Sequence, residues 1–421
     1  MNIAAPKGTK DILPDEMSRW QAVEKLFASV CERYGYKEIR IPTFEQTELF
    51  ARGVGGSTDI VRKEMYTFED KAGRSMTLRP EGTAGIARAY IENGMASLPS
   101  PIKLYYDMSF FRYEKMQKGR YREFWQLGCE IIGSSSAYAD AEVIAILDTF
   151  FTELGLAERQ LELGSIGCPQ CRPDFLNALR AHFKPDLDKM CPDCRDRFQI
   201  NPLRILDCKV DSCQPFIANA PSQLDYLCAD CEEHFAKVKR ALEELAISYH
   251  VNRSMVRGLD YYSRTVFEYV STHVGTQGSI CGGGRYDGLM EILGGKATPA
   301  VGFAMGIERL LLEVEAQGIK LPAAAPADLF IISFPDTAVS ALALAQKLIR
   351  SALIVQTDVM ERSMKAQMKQ ADRSNAEYLV VYGAEELAAK QFLVKRLSDG
   401  AEETVPADYL AEYLLKARKK Q

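Results

Sequence analysis

Along the first 155 residues the apolar positions switch between two periods, and each switch marks an element. Trp20, Val23, Leu26, Phe27 and Val30 recur at three- and four-residue steps, which predicts an amphipathic helix over residues 15–33. Residues 36–42 follow as a strand stopped by Pro42. The stretch 65–133 is rich in short strands. Two long ones, 104–114 and 121–132, are joined by the basic, glycine-containing loop Lys115-Met-Gln-Lys-Gly-Arg120. The helical period returns over 140–155 through Ala141, Val143, Ile144, Leu147, Phe150 and Phe151.

Alternation on the second long strand puts Arg122, Phe124, Gln126, Gly128 and Glu130 on one face. A solvated antiparallel face would give the same alternation. Phe124 between polar neighbours tilts the reading toward a ligand surface. Arg112 sits near the end of the first strand, where a fixed guanidinium can grip phosphate or carboxylate oxygens in two places. Upstream, Thr77-Leu-Arg-Pro-Glu-Gly-Thr83 sets Glu81, Gly82 and Thr83 at a turn before a helix over 84–91. Thr83 can simply cap that helix, and Glu81 beside it suits an amine; the two readings are compatible.

Between 168 and 250 strand signals become scarce and eight of the eleven cysteines appear. Strand patterns resume at 261–270, so this segment reads as an insertion. Three short motifs follow: Arg257-Gly-Leu-Asp-Tyr-Tyr262, Gly282-Gly-Gly-Arg-Tyr-Asp-Gly288 and Gly302-Phe-Ala-Met-Gly-Ile-Glu-Arg309. Each reads as part of a strand, so the three are expected side by side on one sheet. Their glycines let backbone approach a ligand closely. A Pro/Ala linker over 321–327 precedes strands at 329–334, 355–360 and 378–382, which alternate with helices near 337–352 and 363–375. That rhythm predicts a compact α/β domain with a largely parallel sheet. The expected organisation is α+β: one domain over 1–325, interrupted by the 168–250 insertion, and a second over 327–421.

Composition narrows this picture. The chain has 421 residues, 47% hydrophobic and 26% charged, as an ordinary globular protein does. It has neither an apolar run long enough for a membrane span nor an apolar opening segment, so the cytoplasm is expected. The net charge of −5 does not announce a nucleic-acid binder, although a local basic patch can still contact RNA. Arg362, Lys365, Lys369 and Arg373 form one stripe at helical steps, which suits either phosphate contacts or a solvated face. Lys416, Arg418, Lys419 and Lys420 end the chain.

Cysteines in a chain without a secretory signal point to metal or free thiols. Cys168-Pro-Gln-Cys171, Cys191-Pro-Asp-Cys194 and Cys228-Ala-Asp-Cys231 are C-x-x-C pairs, and Cys208 and Cys213 add two more thiols. Eight thiols suffice for two four-thiolate structural zinc sites, though spacing leaves their pairing open. Unligated thiols are the alternative, and His182 and His234 are spare ligands. Cys31, Cys129 and Cys281 read as small buried residues.

Phe111-Arg-Tyr-Glu114 with its loop resembles motif 2 of class II aminoacyl-tRNA synthetases. Gly302-Phe-Ala-Met-Gly-Ile-Glu-Arg309 resembles motif 3, and the helix before residues 36–42 resembles motif 1, the dimer element. More specific are Val256-Arg-Gly-Leu-Asp-Tyr-Tyr262 and Gly282-Gly-Gly-Arg-Tyr-Asp287, which resemble the two signature peptides of the histidyl-tRNA synthetase family. Thr58-Asp-Ile-Val61, Lys63-Glu-Met-Tyr66, Leu78-Arg-Pro-Glu-Gly-Thr83 and Gln117-Lys-Gly-Arg-Tyr-Arg122 extend the resemblance over nearly the whole chain.

The resemblance implies a catalytic domain on a mainly antiparallel sheet, a C-terminal α/β anticodon-binding domain and a homodimer. It implies ligation of L-histidine to tRNA(His) through a histidyl-adenylate, with ATP and Mg2+ as substrate. Arg112 would bind the α-phosphate and the histidine carboxylate, Phe124 would stack on adenine, and Arg309 would clamp the far side of the triphosphate. Glu114, Arg120 and Tyr121 would complete the ATP site. Glu81, Gly82, Thr83, Gln126, Glu130, Tyr261 and Tyr262 would surround histidine. Arg257 would stand where other class II enzymes use a metal ion, making it catalytic together with Arg112.

Two departures stand out: Lys115-Met116 where the family often has Arg-Pro, and Trp125 where His or Tyr is more usual. A non-charging paralogue, the regulatory subunit of ATP phosphoribosyltransferase, is the alternative. Such paralogues typically lack the C-terminal domain and erode these arginines, whereas Arg112, Arg257 and Arg309 are all present here.

Overall fold

The computed structural model describes residues 3–271, 273, 278–323 and 325–418. The chain divides into two compact units at Pro322/Ala323.

The first unit is built on an eight-stranded sheet. Its order is Lys37–Glu38, Ile102–Phe111, Glu123–Ile132, Ala300–Gly306, Ser279–Arg285, Ser263–Val270, Gln160–Ser165, His250–Val251. The six central strands pair antiparallel, and only the two-residue strands at the ends pair parallel. The sheet's two faces do different work. Leu127, Cys129 and Ile131 point from one face into the main core, against Trp20, Val23, Phe27 and Val30 of helix Pro14–Arg33 and the apolar side of helix Ala137–Leu154. The first helix begins at Pro14, whose fixed φ and missing N–H suit the first turn. The second is capped by the Ser136 hydroxyl, which accepts from the Tyr138 N–H, and ends on Gly155 with a left-handed φ of 83°. The opposite face carries Phe124, Gln126 and Glu130, and it lines a cleft.

Several predicted elements change shape. Residues 36–42 form only the short strand Lys37–Glu38. The hairpin strands stop at Phe111 and start at Glu123, so Arg112 and Glu114 stand on the connecting loop. The strands Ser263–Val270, Ser279–Arg285 and Ala300–Gly306 are neighbours, as the three motifs suggested. Arg257–Tyr262, however, is a loop entering the first of them rather than strand. The insertion also ends early: helix Ala229–Glu244 buries Phe235, Val238 and Leu242 in the main core, leaving only its cysteine end with the insertion. Cys31, Cys129 and Cys281 are buried.

The second unit has a five-stranded sheet ordered Val355–Thr357, Leu329–Ser333, Tyr378–Tyr382, Gln391–Arg396, Glu402–Pro406. The first three strands are parallel, but the last two form an antiparallel hairpin absent from the expected pattern. Lys365, Lys369 and Arg373 lie exposed on helix Met364–Arg373. Arg362 precedes that helix and pairs with Asp358 at 2.6 Å, so it leaves the stripe. Arg418 donates to the Ala352 carbonyl at 3.0 Å. Lys419 and Lys420 lie outside the described residues. Among the described residues no helix is long and apolar enough to cross a membrane.

Candidate active site

A cleft of about 410 Å³ opens over the polar face of the large sheet. The thirteen expected ligand-binding residues other than Glu130 come from four separate segments of chain and could have scattered. Instead Glu81, Gly82, Thr83, Arg112, Glu114, Arg120, Tyr121, Phe124, Gln126, Arg257, Tyr261, Tyr262 and Arg309 all line it. Glu130 lies just beneath, fully buried.

Two buried carboxylates organise one end. Glu81 accepts the backbone N–H groups of Thr83 and Ala84, both at 2.8 Å, so it caps helix Thr83–Glu92. The cap is therefore Glu81 rather than the alternative Thr83; an acid satisfies two orphan donors there and favours the positive end of the helix dipole. Thr83 turns its hydroxyl the other way and donates to Glu130 at 2.9 Å. Tyr286 donates to the second Glu130 oxygen at 2.6 Å. Burial pushes the Glu130 carboxyl up to about 8, against those two hydroxyls, which favour the anion. From its ordinary value of 4.5 up to about 8, the folded chain therefore keeps a proton that the unfolded chain has shed. The stability contributed by this group is full below 4.5 and is lost as pH rises through 8. Burial also raises the Glu81 carboxyl.

Glycines shape the floor. A Cβ on Gly302 would overlap a Glu130 carboxylate oxygen, and one on Gly128 would strike the Tyr106 ring. The Tyr106 hydroxyl and the Gln126 amide oxygen are buried at the cleft wall with no hydrogen-bond partner among the described residues, which leaves both for a ligand.

Arginines occupy the other end. Arg112 is fixed by its Nε–H donating to the Pro80 carbonyl at 2.8 Å, and its guanidinium lies 5.3 Å from the Phe124 ring centre. Arg257 is ion-paired to Glu268, stands 5.5 Å from the Tyr262 ring centre, and presses on Gly282, where a Cβ would collide with its guanidinium. Arg120 reaches Glu114 at 3.4 Å. Arg309 and Arg120 line the same cleft, and burial, then the nearby Arg120 charge, lowers the Arg309 guanidinium from its usual range.

The eight insertion cysteines gather into two groups, Cys168/Cys171/Cys228/Cys231 and Cys191/Cys194/Cys208/Cys213, with all four sulfurs of each group within 4.8 Å of one another. Neither spare histidine joins them: His182 bonds the Phe216 carbonyl at 2.8 Å and His234 meets Asp140 at 3.3 Å.

The histidyl-tRNA synthetase family model matches residues 8–171 and 215–310, and an anticodon binding domain model matches 329–417. Histidine--tRNA ligase from Acetivibrio thermocellus is 52% identical over 411 residues, covering 97% of this chain and 99% of that protein. The chain belongs to the histidyl-tRNA synthetase family.

A second family relative, from Caldanaerobacter subterraneus subsp. tengcongensis, is 52% identical over 405 residues, covering 96% of this chain and 97% of its own. The crystal structure of apo S. aureus histidyl-tRNA synthetase superposes with a TM-score of 0.83 at 39% identity, covering 98% of this chain and all of that one. An ATP phosphoribosyltransferase regulatory subunit/histidyl-tRNA synthetase structure from Bacillus halodurans C, at 22% identity, shares the fold.

Two residues that support this site, Tyr286 and Glu268, escaped the sequence reading, as did the structural role of Arg285. Tyr286 stood inside the glycine motif, but nothing in the spacing aimed it at Glu130. Glu268 is the single acid in the apolar strand 263–270, a signal that it pairs with a cation. Arg285, in the same glycine motif, is not a ligand group at all: it is fully buried against Asp140 and donates to the Ser134 and Ser136 carbonyls at 2.8 and 2.9 Å. It fastens the start of helix Ala137–Leu154 to the sheet.

Proposed function

We infer that the chain is a histidine–tRNA ligase that charges tRNA(His) with L-histidine through a histidyl-adenylate. The observation that carries the reading is one cleft holding Arg112, Arg257 and Arg309 around a floor with the buried acids Glu81 and Glu130, in a chain 52% identical to relatives named histidine--tRNA ligase. Adenylation asks little covalent help of the protein. It needs two anions aligned and the growing charge on phosphorus neutralised.

In this reading the histidine carboxylate oxygen attacks the α-phosphate of ATP–Mg2+ and pyrophosphate leaves. Arg112 holds the α-phosphate and the carboxylate together, and Arg257 neutralises charge from the other side. Phe124 stacks on adenine, while Arg309, with Glu114, Arg120 and Tyr121, holds the triphosphate end. A terminal ribose hydroxyl of the tRNA then attacks the histidyl carbonyl and AMP departs. Glu81, Gly82, Thr83, Gln126, Glu130, Tyr261 and Tyr262 receive the histidine amine and imidazole. Buried polar groups that expect a hydrogen bond reject isosteres by large factors, so no editing step is required.

The regulatory alternative is disfavoured by the retained arginines and by the 329–417 anticodon-binding match. Residues 1–325 serve as the catalytic domain, with the cysteine insertion between strand Gln160–Ser165 and helix Ala229–Glu244, and 327–421 as the tRNA-reading domain. A homodimer, the cytoplasm and structural zinc on the eight insertion thiols belong to the same reading.

Two outcomes are expected. Histidine binding near about pH 7 should expel the Glu130 proton, because a bound cation favours the carboxylate. Calorimetry at that pH in buffers of different ionisation enthalpy should give close to one proton released, abolished in Glu130→Gln. Proton uptake would contradict the placement of a histidine cation beside Glu130. Deleting residues 327–421 should leave adenylation within about threefold while tRNA charging falls by about two orders of magnitude through lost RNA contacts. Undiminished charging would refute the tRNA-reading role.

A further inference from the structure

The histidine loop is held by the cysteine insertion, whose Arg204 stands at the rim of the cleft. Arg204, in the short helix Pro202–Ile205, donates from Nη2 to the Gly258 carbonyl at 2.7 Å and pairs with Asp260 at 3.1 Å. Asn201 reaches the same Asp260 oxygen at 3.3 Å. Arg172, the residue after Cys171, donates to the Tyr262 carbonyl at 2.7 Å. Loop residues 258, 260 and 262 are thus gripped by three insertion side chains. A cavity of about 260 Å³ separates insertion and loop, lined by Arg172, Arg204 and Tyr262. Polar contacts across it, rather than close packing, carry this part of the hold.

What makes the insertion stiff enough to grip is its thiols. Residues 172–227 contain no strand, and their own core is small: Phe175, Leu179, Phe183, Met190, Ile205 and Ile217 around Cys194, Cys208 and Cys213. A segment this short, with no sheet and so small a core, is marginal without a staple. The sulfur spacings say which staple. Cys168 lies 3.7 Å from Cys171 and 3.7 Å from Cys228, Cys171 lies 3.8 Å from Cys231, and Cys191 lies 3.8 Å from Cys208. A disulfide would need about 2.05 Å. Four thiolates about 2.3 Å from a tetrahedral zinc stand about 3.8 Å apart. The pairing is nested. Cys168/Cys171 with Cys228/Cys231 closes the base, where the chain leaves strand Gln160–Ser165 and returns at helix Ala229–Glu244. Cys191/Cys194 with Cys208/Cys213 lies wholly inside, and Ile205, next to Arg204, packs in the same small core.

We propose that two nested four-thiolate zinc sites build the insertion into a brace on the 257–262 loop, with Arg204 as its positioning residue. The proposal rests on the reading of that loop as the histidine-binding element. Zinc supplies only rigidity here; Arg204 fixes the backbone that carries Arg257 and Tyr261, so its loss loosens the histidine pocket while leaving the ATP contacts in place.

Elemental analysis of the full chain, purified without chelator, should find two zinc ions per chain, and Cys191→Ser/Cys208→Ser should find one. Arg204→Ala should keep both ions, show faster deuterium uptake at residues 256–262, and raise the histidine KM about tenfold with the ATP KM unchanged. Folded, metal-free protein with eight titratable insertion thiols would overturn the zinc sites. Native deuterium uptake at 256–262 in Arg204→Ala would overturn the brace. Should the unmodified chain lack adenylation activity, the ligase reading fails, while zinc content and deuterium uptake still decide this one.

Discussion

Arg257→Ala should lower histidine-dependent ATP–pyrophosphate exchange by about a thousandfold, the scale for removing one group aimed at transition-state charge. The loss belongs to the rate rather than to ATP affinity, because charge on phosphorus grows only as the new bond forms. The structure gives this residue unusual support. Glu268 pairs with it, Tyr262 lies under it, and Gly282 provides the room its guanidinium occupies. Arg257→Lys keeps the charge but loses the planar fork, so it should recover only part of the rate. Exchange unaffected by the alanine change would remove Arg257 from the chemistry.

Gly302→Ala should be nearly as damaging for a different reason. Gly302 lies directly across from Glu130 in the sheet, and its added Cβ would overlap the Glu130 carboxylate. Either the acid moves and drops its bonds from Thr83 and Tyr286, or the two strands part. Overpacking of this kind costs about 1–3 kcal/mol. A displacement of about 1 Å at a reacting site costs roughly a hundredfold in rate. Gly306 on the same strand is a matched control, since its Cβ would meet nothing closer than the Trp125 carbonyl at 4.0 Å. Thermal melts should separate the two variants, with Gly302→Ala lowered and Gly306→Ala near native. Equal melting and equal histidine affinity would show that the floor has more slack than its contacts indicate.

Much of this was legible in sequence because it depends on period and short motifs. Alternation from 121 to 132 placed Phe124, Gln126 and Glu130 on one face, and they share the cleft side of the sheet. What failed depends on geometry that spacing does not carry. Glu81 outcompetes Thr83 for the helix cap because a carboxylate two residues ahead reaches two N–H groups at once. The Arg257 motif is a loop because Asp260 and Gly258 are tied to Arg204, far away in the chain. Arg362 sits at a helical step from Lys365 yet prefers the carboxylate of Asp358. The cysteine pairing waited on the fold, since three C-x-x-C pairs and two single thiols combine in several ways until the chain brings their sulfurs together.

Pyrophosphate exchange measured with each of the twenty amino acids in turn tests the central claim most directly. The site described here predicts exchange with histidine alone, lost in Arg257→Ala and in Arg112→Ala. Exchange with a different amino acid, or with none while the protein is folded, would contradict it.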